Sequence, residues 1–189
     1  MEKTDQFLAT SLIKNVQKYL YDSSINRKGL SYSERLSLTR RIRRGTCTIK
    51  HEVLAHDLQS MGLEIIYLTF PFFWQDIAVP YPEEMRSLVE VMPQQNHLAL
   101  AIFARNSQKI IDITWDPSLE QAGFVVPKIS EDIEDTPLAV KPFASPIAHQ
   151  SIDKRTEYLR QRWEETPNYQ EIGLFYLALN NWLLGIRGK

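Results

Sequence analysis

Residues 97–104 read His-Leu-Ala-Leu-Ala-Ile-Phe-Ala, and residues 109–114 read Lys-Ile-Ile-Asp-Ile-Thr. Each is an apolar run with the length of a β-strand, and the four residues between them, 105–108, are polar. This pattern predicts a β-hairpin with Asn106 and Ser107 at the centre of its turn. The prediction bears directly on the fold class, because such a hairpin gives the chain an antiparallel sheet.

The same hairpin brings candidate catalytic side chains together. His97 opens the first strand, and pairing about the predicted turn places Asp112 opposite Ala101 and Asp116 opposite His97. From this register Asp116 is the nearer carboxylate, while Asp112 needs a bulge or a shifted turn to reach the histidine. Either carboxylate could orient the imidazole and stabilise its protonated form.

Helical patterns flank the hairpin on both sides. Apolar spacing predicts helices over 4–21, 31–44, 46–62, 153–165 and 169–184, and further strands over 63–73 and 124–129. The long connection 74–96 holds one short helix at about 83–91. The expected fold is α+β: N-terminal helices, with the helix of Cys47 packed on an antiparallel β-sheet, and two C-terminal helices. We expect one domain over 1–189, with its core at about 30–129 and a helical extension at about 150–189.

The only cysteine, Cys47, lies where a loop is predicted to become a helix, in the stretch Arg-Arg-Gly-Thr-Cys-Thr-Ile-Lys-His at residues 43–51. The unpaired N–H groups and the positive dipole end of a helix start stabilise a thiolate. Gly45 is predicted to end the preceding helix in a left-handed conformation. A thiolate, a histidine and a carboxylate are the parts of a cysteine nucleophile with its general base.

These motifs resemble the core of the transglutaminase-like superfamily. The resemblance covers residues 30–120 and rests on Gly-Thr-Cys-Thr-Ile-Lys-His at 45–51, on His97, and on Asp-Ile-Thr-Trp-Asp-Pro at 112–117. It implies a papain-like fold with Cys47 as nucleophile, His97 as base and Asp112 as the orienting carboxylate, so it favours Asp112 over Asp116. The superfamily includes transglutaminases, cysteine peptidases, peptide N-glycanases and proteins with no known activity.

Four further residues are candidates for contact with a substrate. Lys50 and His51 follow Cys47 by about one helical turn, Trp74 begins the long connection, and Asn96 precedes His97. Gln94, Gln95 and Asn96 are candidates for the additional oxyanion donor of the superfamily, although none clearly matches it. Metal binding is not expected, since His51 and His56 are separated by about 140° around a helix. No cofactor is expected either.

Composition narrows the classes of function. The chain has 22 basic and 23 acidic residues, so its net charge of −1 favours neither nucleic acid nor a membrane surface. A single cysteine points to a reducing compartment. The first residues lack the apolar segment of a signal peptide, and no apolar run reaches the roughly 18 residues of a membrane helix. We expect a cytoplasmic protein.

The predicted function is cysteine-dependent acyl transfer to or from a peptide, a protein or a small amide or ester, with hydrolysis favoured over crosslinking. One alternative is a non-catalytic transglutaminase-like module that binds peptides or proteins, and another is an enzyme similar to arylamine N-acetyltransferases. The apolar stripe Leu174, Leu177 and Leu184, with Phe175 and Trp182, in the last helix predicts core packing, with a homodimer contact as the second interpretation.

Overall fold

The computed structural model describes residues 3–25, 27–104, 107–163 and 169–188. The chain forms α1 (Lys3–Gln17), β1 (Leu20–Tyr21), α2 (Tyr32–Ile42), β2 (Arg44–Gly45), α3 (Cys47–Ser60), β3 (Ile65–Phe72), α4 (Glu83–Val91), β4 (Gln95–Ala104), β5 (Ser107–Ile111), β6 (Ile147–His149), α5 (Ile152–Trp163) and α6 (Tyr169–Arg187). Short 3-10 helices lie at Trp74–Asp76 and Pro117–Ala122. The prediction of a mixed helix and sheet fold with an antiparallel sheet is confirmed.

The main sheet has four antiparallel strands in the order β5-β4-β3-β6. The predicted hairpin forms its β5-β4 edge, although Arg105 and Asn106 of the predicted turn lie outside the described residues. Leu100 pairs with Ile111, which is two residues away from the register that a turn centred on Asn106 and Ser107 predicts. This shift brings Asp112 closer to His97.

Alternating side chains of β4 face two different apolar clusters. Leu98, Leu100 and Ile102 pack into a core with residues of α1 and α3, while Ala99 and Ala101 face Leu68 and Phe70 of β3. Helix α3, which begins at Cys47, therefore lies against the centre of the sheet, and its N-terminus is held near the start of β4.

A second core joins the C-terminal helix to the 3-10 helices. Trp74 and Trp115 pack with Phe175, Leu179 and other buried residues of α6. Helix α6 is therefore part of the packing around the site, and β6 adds the fourth strand of the sheet.

The secondary structure differs from the sequence prediction at the end of the first helix and at the predicted strand 124–129. The first helix ends at Gln17, because residues 20–21 form a short strand that pairs in parallel with β2. The predicted strand 124–129 is wrong: these residues form no strand, and the outer position beside β3 is taken by β6. Residue 165, the predicted end of the fifth helix, lies outside the described residues.

Three leucines of α6 that were predicted to pack in the core are exposed instead. Leu174, Leu177 and Leu184 are 55%, 58% and 52% exposed, while Phe175, Leu179 and Leu183 fill the core. Of the predicted stripe, Phe175 thus lies in the core and Trp182 packs partly buried against it, whereas the three leucines lie on the outer face. In the described part of the chain, no helix combines the length and the apolar character needed to cross a membrane.

Gly45 is required by close packing rather than by backbone conformation. The left-handed residue after α2 is Arg43, with φ 53°, so the prediction of a left-handed Gly45 is wrong. A Cβ atom on Gly45 would lie 2.2 Å from Cγ2 of Ile49 in the first turn of α3. Ile49 is buried and its branched side chain has few rotamers, so it has little room to move aside.

We expect Gly45→Ala to lower the free energy of unfolding by about 1–3 kcal/mol, the usual cost of overpacking. Urea denaturation would measure it, with Gly173→Ala as the matched control. A Cβ on Gly173 meets nothing within 4 Å, so that variant should keep its stability or gain up to about 1 kcal/mol. Equal stability of the two variants would show that α3 can shift away from Gly45 without cost.

Candidate active site

Cys47 is the first residue of α3, with Thr46 in the N-cap position. The side chain of Thr46 makes no capping hydrogen bond, so the first N–H groups of the helix remain available to a ligand or to the thiolate. Cys47 is partly exposed, whereas the two other predicted triad residues are buried. Cys47 is therefore the most exposed of the three residues.

His97 and Asp112 form a short hydrogen bond. Nε2 of His97 lies 2.7 Å from Oδ2 of Asp112, and the residues are 2% and 1% exposed. Asp112 is fixed in turn by the N–H of Ala139, by the N–H of Thr114 and by the hydroxyl of Thr114, all of which donate to it. A carboxylate with this many donors remains ionised.

The sulfur of Cys47 completes the arrangement. The Cys47 thiol lies close enough to His97 and to the backbone N–H of Leu98 for both to lower its pKa. Since Nε2 of the imidazole is directed to Asp112, the other ring nitrogen is the one available to the sulfur. The structure thus brings together Cys47, His97 and Asp112, the three residues predicted as a triad.

The charges of the three groups support one another. Burial raises the pKa of the Cys47 thiol, but the hydrogen bond and the positive charge of His97 outweigh burial and lower that pKa to about 7. Burial lowers the pKa of His97, but the charge and hydrogen bond of Asp112 outweigh this and raise it to about 10. Burial opposes ionisation of Asp112, yet the charge of His97 holds its pKa well below the usual range. The lowered pKa of Cys47 and the raised pKa of His97 favour a thiolate–imidazolium pair in the resting site.

His51 has a fixed tautomer and does not act as a second base. Its Nδ1 lies 2.7 Å from the carbonyl oxygen of Cys47, while its Nε2 accepts from the N–H of Ile113 at 3.1 Å. An acceptor at Nε2 requires the proton on Nδ1. Burial, the largest effect, lowers the pKa of His51 to about 4, so this ring is neutral and joins the first turn of α3 to the segment after β5.

Lys50 is also buried, with its amine donating to the carbonyls of Gln17 and Thr114 at 3.2 and 2.9 Å. Burial lowers its pKa to about 7, against the opposing charges of Asp116 and Asp112. Lys50 and His51 are each 0% exposed. In this structure neither reaches the opening at Cys47, so the predicted contact of these two residues with a substrate has no geometric support.

Asp116 does not orient His97. Its carboxylate accepts from the N–H of Tyr21, from Ser118 and from the guanidinium of Arg187 at 2.5 Å. The observed register explains the difference, because the side chain of Asp112 becomes the diagonal neighbour of His97 across the strand pair.

The two remaining residues predicted to contact a substrate are Trp74 and Asn96. Trp74 is 3% exposed and packs against Trp115 and Phe175, so it belongs mainly to the core. Asn96 precedes His97, and its Oδ1 is buried with no hydrogen-bond partner among the described residues.

Sequence analysis missed Arg155, which comes from α5 and is 1% exposed. Its positive charge lowers the pKa of Cys47, after the larger effects of burial, His97 and Leu98. The sequence contains no signal that separates Arg155 from its exposed neighbour Arg160, since both lie in a polar helix.

Comparison of the chain with protein-family models, with curated proteins and with solved structures gives no match. Within residues 3–25, 27–104, 107–163 and 169–188, no group of three or more histidine, cysteine, aspartate or glutamate side chains could hold a metal ion. The function therefore has to be inferred from the site itself.

Proposed function

We propose that this protein is a cysteine-dependent acyl-transfer enzyme with a transglutaminase-like arrangement, and that Cys47, His97 and Asp112 are its catalytic triad. The observation that carries the proposal is the buried 2.7 Å bond from His97 to Asp112, together with the Cys47 thiol, whose pKa is lowered by the same imidazole. A cysteine with only a packing role needs neither partner.

The reaction begins with attack of the Cys47 thiolate on an amide or ester carbonyl carbon. The C=O π electrons move to oxygen, and the backbone N–H of Cys47 at the helix start is available to stabilise the resulting oxyanion. Collapse of this intermediate breaks the bond to the leaving group, which takes its proton from His97. A thioester on Cys47 remains.

Deacylation repeats these steps with water. His97 accepts a proton from the water as its oxygen attacks the thioester carbonyl, the C–S bond breaks, and the acid and the thiolate are released. Asp112 stabilises the imidazolium at both stages. We favour water over an amine as acceptor, because crosslinking requires a second binding site for the amine substrate.

The test is the rate of Cys47 alkylation by iodoacetamide as a function of pH. The rate in the native protein should rise with a midpoint near 7, whereas an ordinary thiol titrates near 8.5. In His97→Ala, burial still raises the pKa of the Cys47 thiol, but the imidazole that lowers this pKa is absent. The midpoint should therefore move to higher pH. The rate at neutral pH should fall by roughly tenfold or more. Cys47→Ser is the blank, since this chain has no other cysteine.

A second measurement addresses acyl transfer itself. p-Nitrophenyl acetate should give a burst of nitrophenolate and an acetyl group on Cys47 by mass spectrometry, and both should be absent in Cys47→Ser. A thiol that titrates like a free one irrespective of His97, and that forms no acyl adduct, would contradict the proposal and favour the non-catalytic binding module.

A further inference from the structure

Arg155 is a buried cation that forms no ion pair with an aspartate or glutamate among the described residues, although the charge of Cys47 favours its charged form. Its Nε donates to Oγ1 of Thr69 at 3.0 Å, and the residue is 1% exposed. Its Nη2 is buried and has no hydrogen-bond partner among the described residues. Removing a charge from water without pairing it is one of the most costly arrangements in a protein. A feature of this kind requires an explanation.

The strand register places this guanidinium close to Cys47. Thr69, which holds Arg155, is the direct partner of Leu98 in the β3-β4 pair. Leu98 directly follows His97 of the proposed triad, and Arg155 interacts electrostatically with Cys47. Neighbouring strands are about 4.8 Å apart. Arg155 thus lies beside the nucleophile, one strand across the sheet.

Glu52 is the acidic side chain in this region, but it does not neutralise Arg155. The two residues interact electrostatically, yet no ion pair joins them among the described residues, and Oε2 of Glu52 is itself buried without a partner. Burial raises the pKa of Glu52, against the charges of Arg35, Arg155 and Arg27. The Nη2 edge of Arg155 therefore remains open to another acceptor.

We infer that Arg155 binds a carboxylate of the acyl donor, so that the substrates are amides or esters with a carboxylate close to the scissile carbonyl. This inference rests on the proposed function of Cys47. A guanidinium is the side chain best suited to a carboxylate, because its planar N–H groups match the two oxygens. A substrate carboxylate would supply the missing partner of Nη2 when it enters beside the sulfur.

The experiment compares thiol reagents that differ only in charge. N-Iodoacetylglycine and its neutral counterpart N-iodoacetylglycinamide place the carboxylate, or its amide, several bonds from the reactive carbon. Iodoacetate and iodoacetamide form a shorter pair. Each rate on Cys47 is divided by the rate of the same reagent with glutathione, which removes the intrinsic difference in reactivity.

At low reagent concentration, we expect the charged member of at least one pair to alkylate Cys47 roughly tenfold faster than its neutral counterpart, the effect of one charged hydrogen bond. The alkylation rate with this charged reagent should also reach a plateau as its concentration is increased. The ratio should fall to about one in Arg155→Gln, should be partly retained in Arg155→Lys, and should be unchanged in the exposed control Arg160→Gln.

A measurement on the unchanged protein decides the matter if the Arg155 variants do not fold. N-Acetylglycine should slow alkylation by iodoacetamide, whereas N-acetylglycinamide should not. If iodoacetamide reacts rapidly at neutral pH but neither charge preference nor competition is found, the inference about Arg155 is overturned while the proposed function stands. If iodoacetamide reacts no faster than with an ordinary buried thiol, both fail together.

Discussion

Replacing Asp112 by asparagine is expected to slow acylation of Cys47 by p-nitrophenyl acetate at neutral pH by roughly 100-fold or more. The negative charge of Asp112 is the main effect that keeps His97 protonated against burial. Without that charge the imidazole becomes neutral, and the thiolate loses its counterion. Asparagine also has a single acceptor oxygen for the donors of His97, Thr114 and Ala139.

The same variant should be less stable, in a pH-dependent way. Folding lowers the pKa of Asp112, so ionised Asp112 contributes stability above the unfolded carboxyl pKa of about 3.9, and this contribution is lost as the pH falls. The stability difference between the native protein and Asp112→Asn should therefore be largest above about pH 4.

Urea denaturation at several pH values, together with the acylation rate, would measure both effects. Asp76→Asn is the matched control, because Asp76 is an exposed aspartate and should change neither quantity. An Asp112→Asn protein that acylates at the native rate would exclude Asp112 from the triad.

Replacing Arg187 by methionine should lower the free energy of unfolding by about 3 kcal/mol, the cost of removing one partner of a buried ion pair. Arg187 binds Asp116 at 2.5 Å and also donates to the carbonyl of Tyr21. The side chains are 12% and 1% exposed. Loss of Arg187 leaves a buried carboxylate at the junction of α6, β1 and the segment that follows Asp112.

Arg86→Met provides the control, since Arg86 pairs with Glu83 on α4 with both side chains mostly exposed. Such surface pairs contribute at most about 1 kcal/mol. The double variant Arg187→Met with Asp116→Asn should recover part of the lost stability, because the unpaired charge is then absent. If Arg187→Met and Arg86→Met lower the free energy of unfolding equally, the buried ion pair stabilises the fold no more than a surface pair does.

Local signals predicted the elements that carry the triad. Cys47 at a helix start follows from the glycine and the apolar spacing after it, and His97 at a strand start follows from the apolar run it opens. The register was not predictable, because it depends on the turn and on how β4 also pairs with β3 along its length. A shift of two residues makes Asp112, instead of Asp116, the carboxylate that contacts His97, as the family resemblance implied and the predicted register did not.

The surroundings of the triad were less accessible to prediction, because helix α3 is buried on most of its circumference. Ile49, Lys50, His51, Glu52 and Val53 are consecutive and all buried. A pattern method assigns the charged residues of such a run to solvent. Strand β6 was also not predicted. Its three residues pair with the open edge of β3, and a pairing with a distant strand leaves no pattern in so short a segment.

Segment 136–139 returns across the carboxylate of Asp112. The N–H of Ala139 donates to Asp112, and Thr136 accepts from the N–H of Asp112. His97 and Asp112 are buried, so Cys47 is the one residue of the proposed triad with partial exposure. In the proposed reaction the substrate, the leaving group and the attacking water would then approach from the side of Cys47. On such a shared path the leaving group departs before water enters, which would order the two half-reactions.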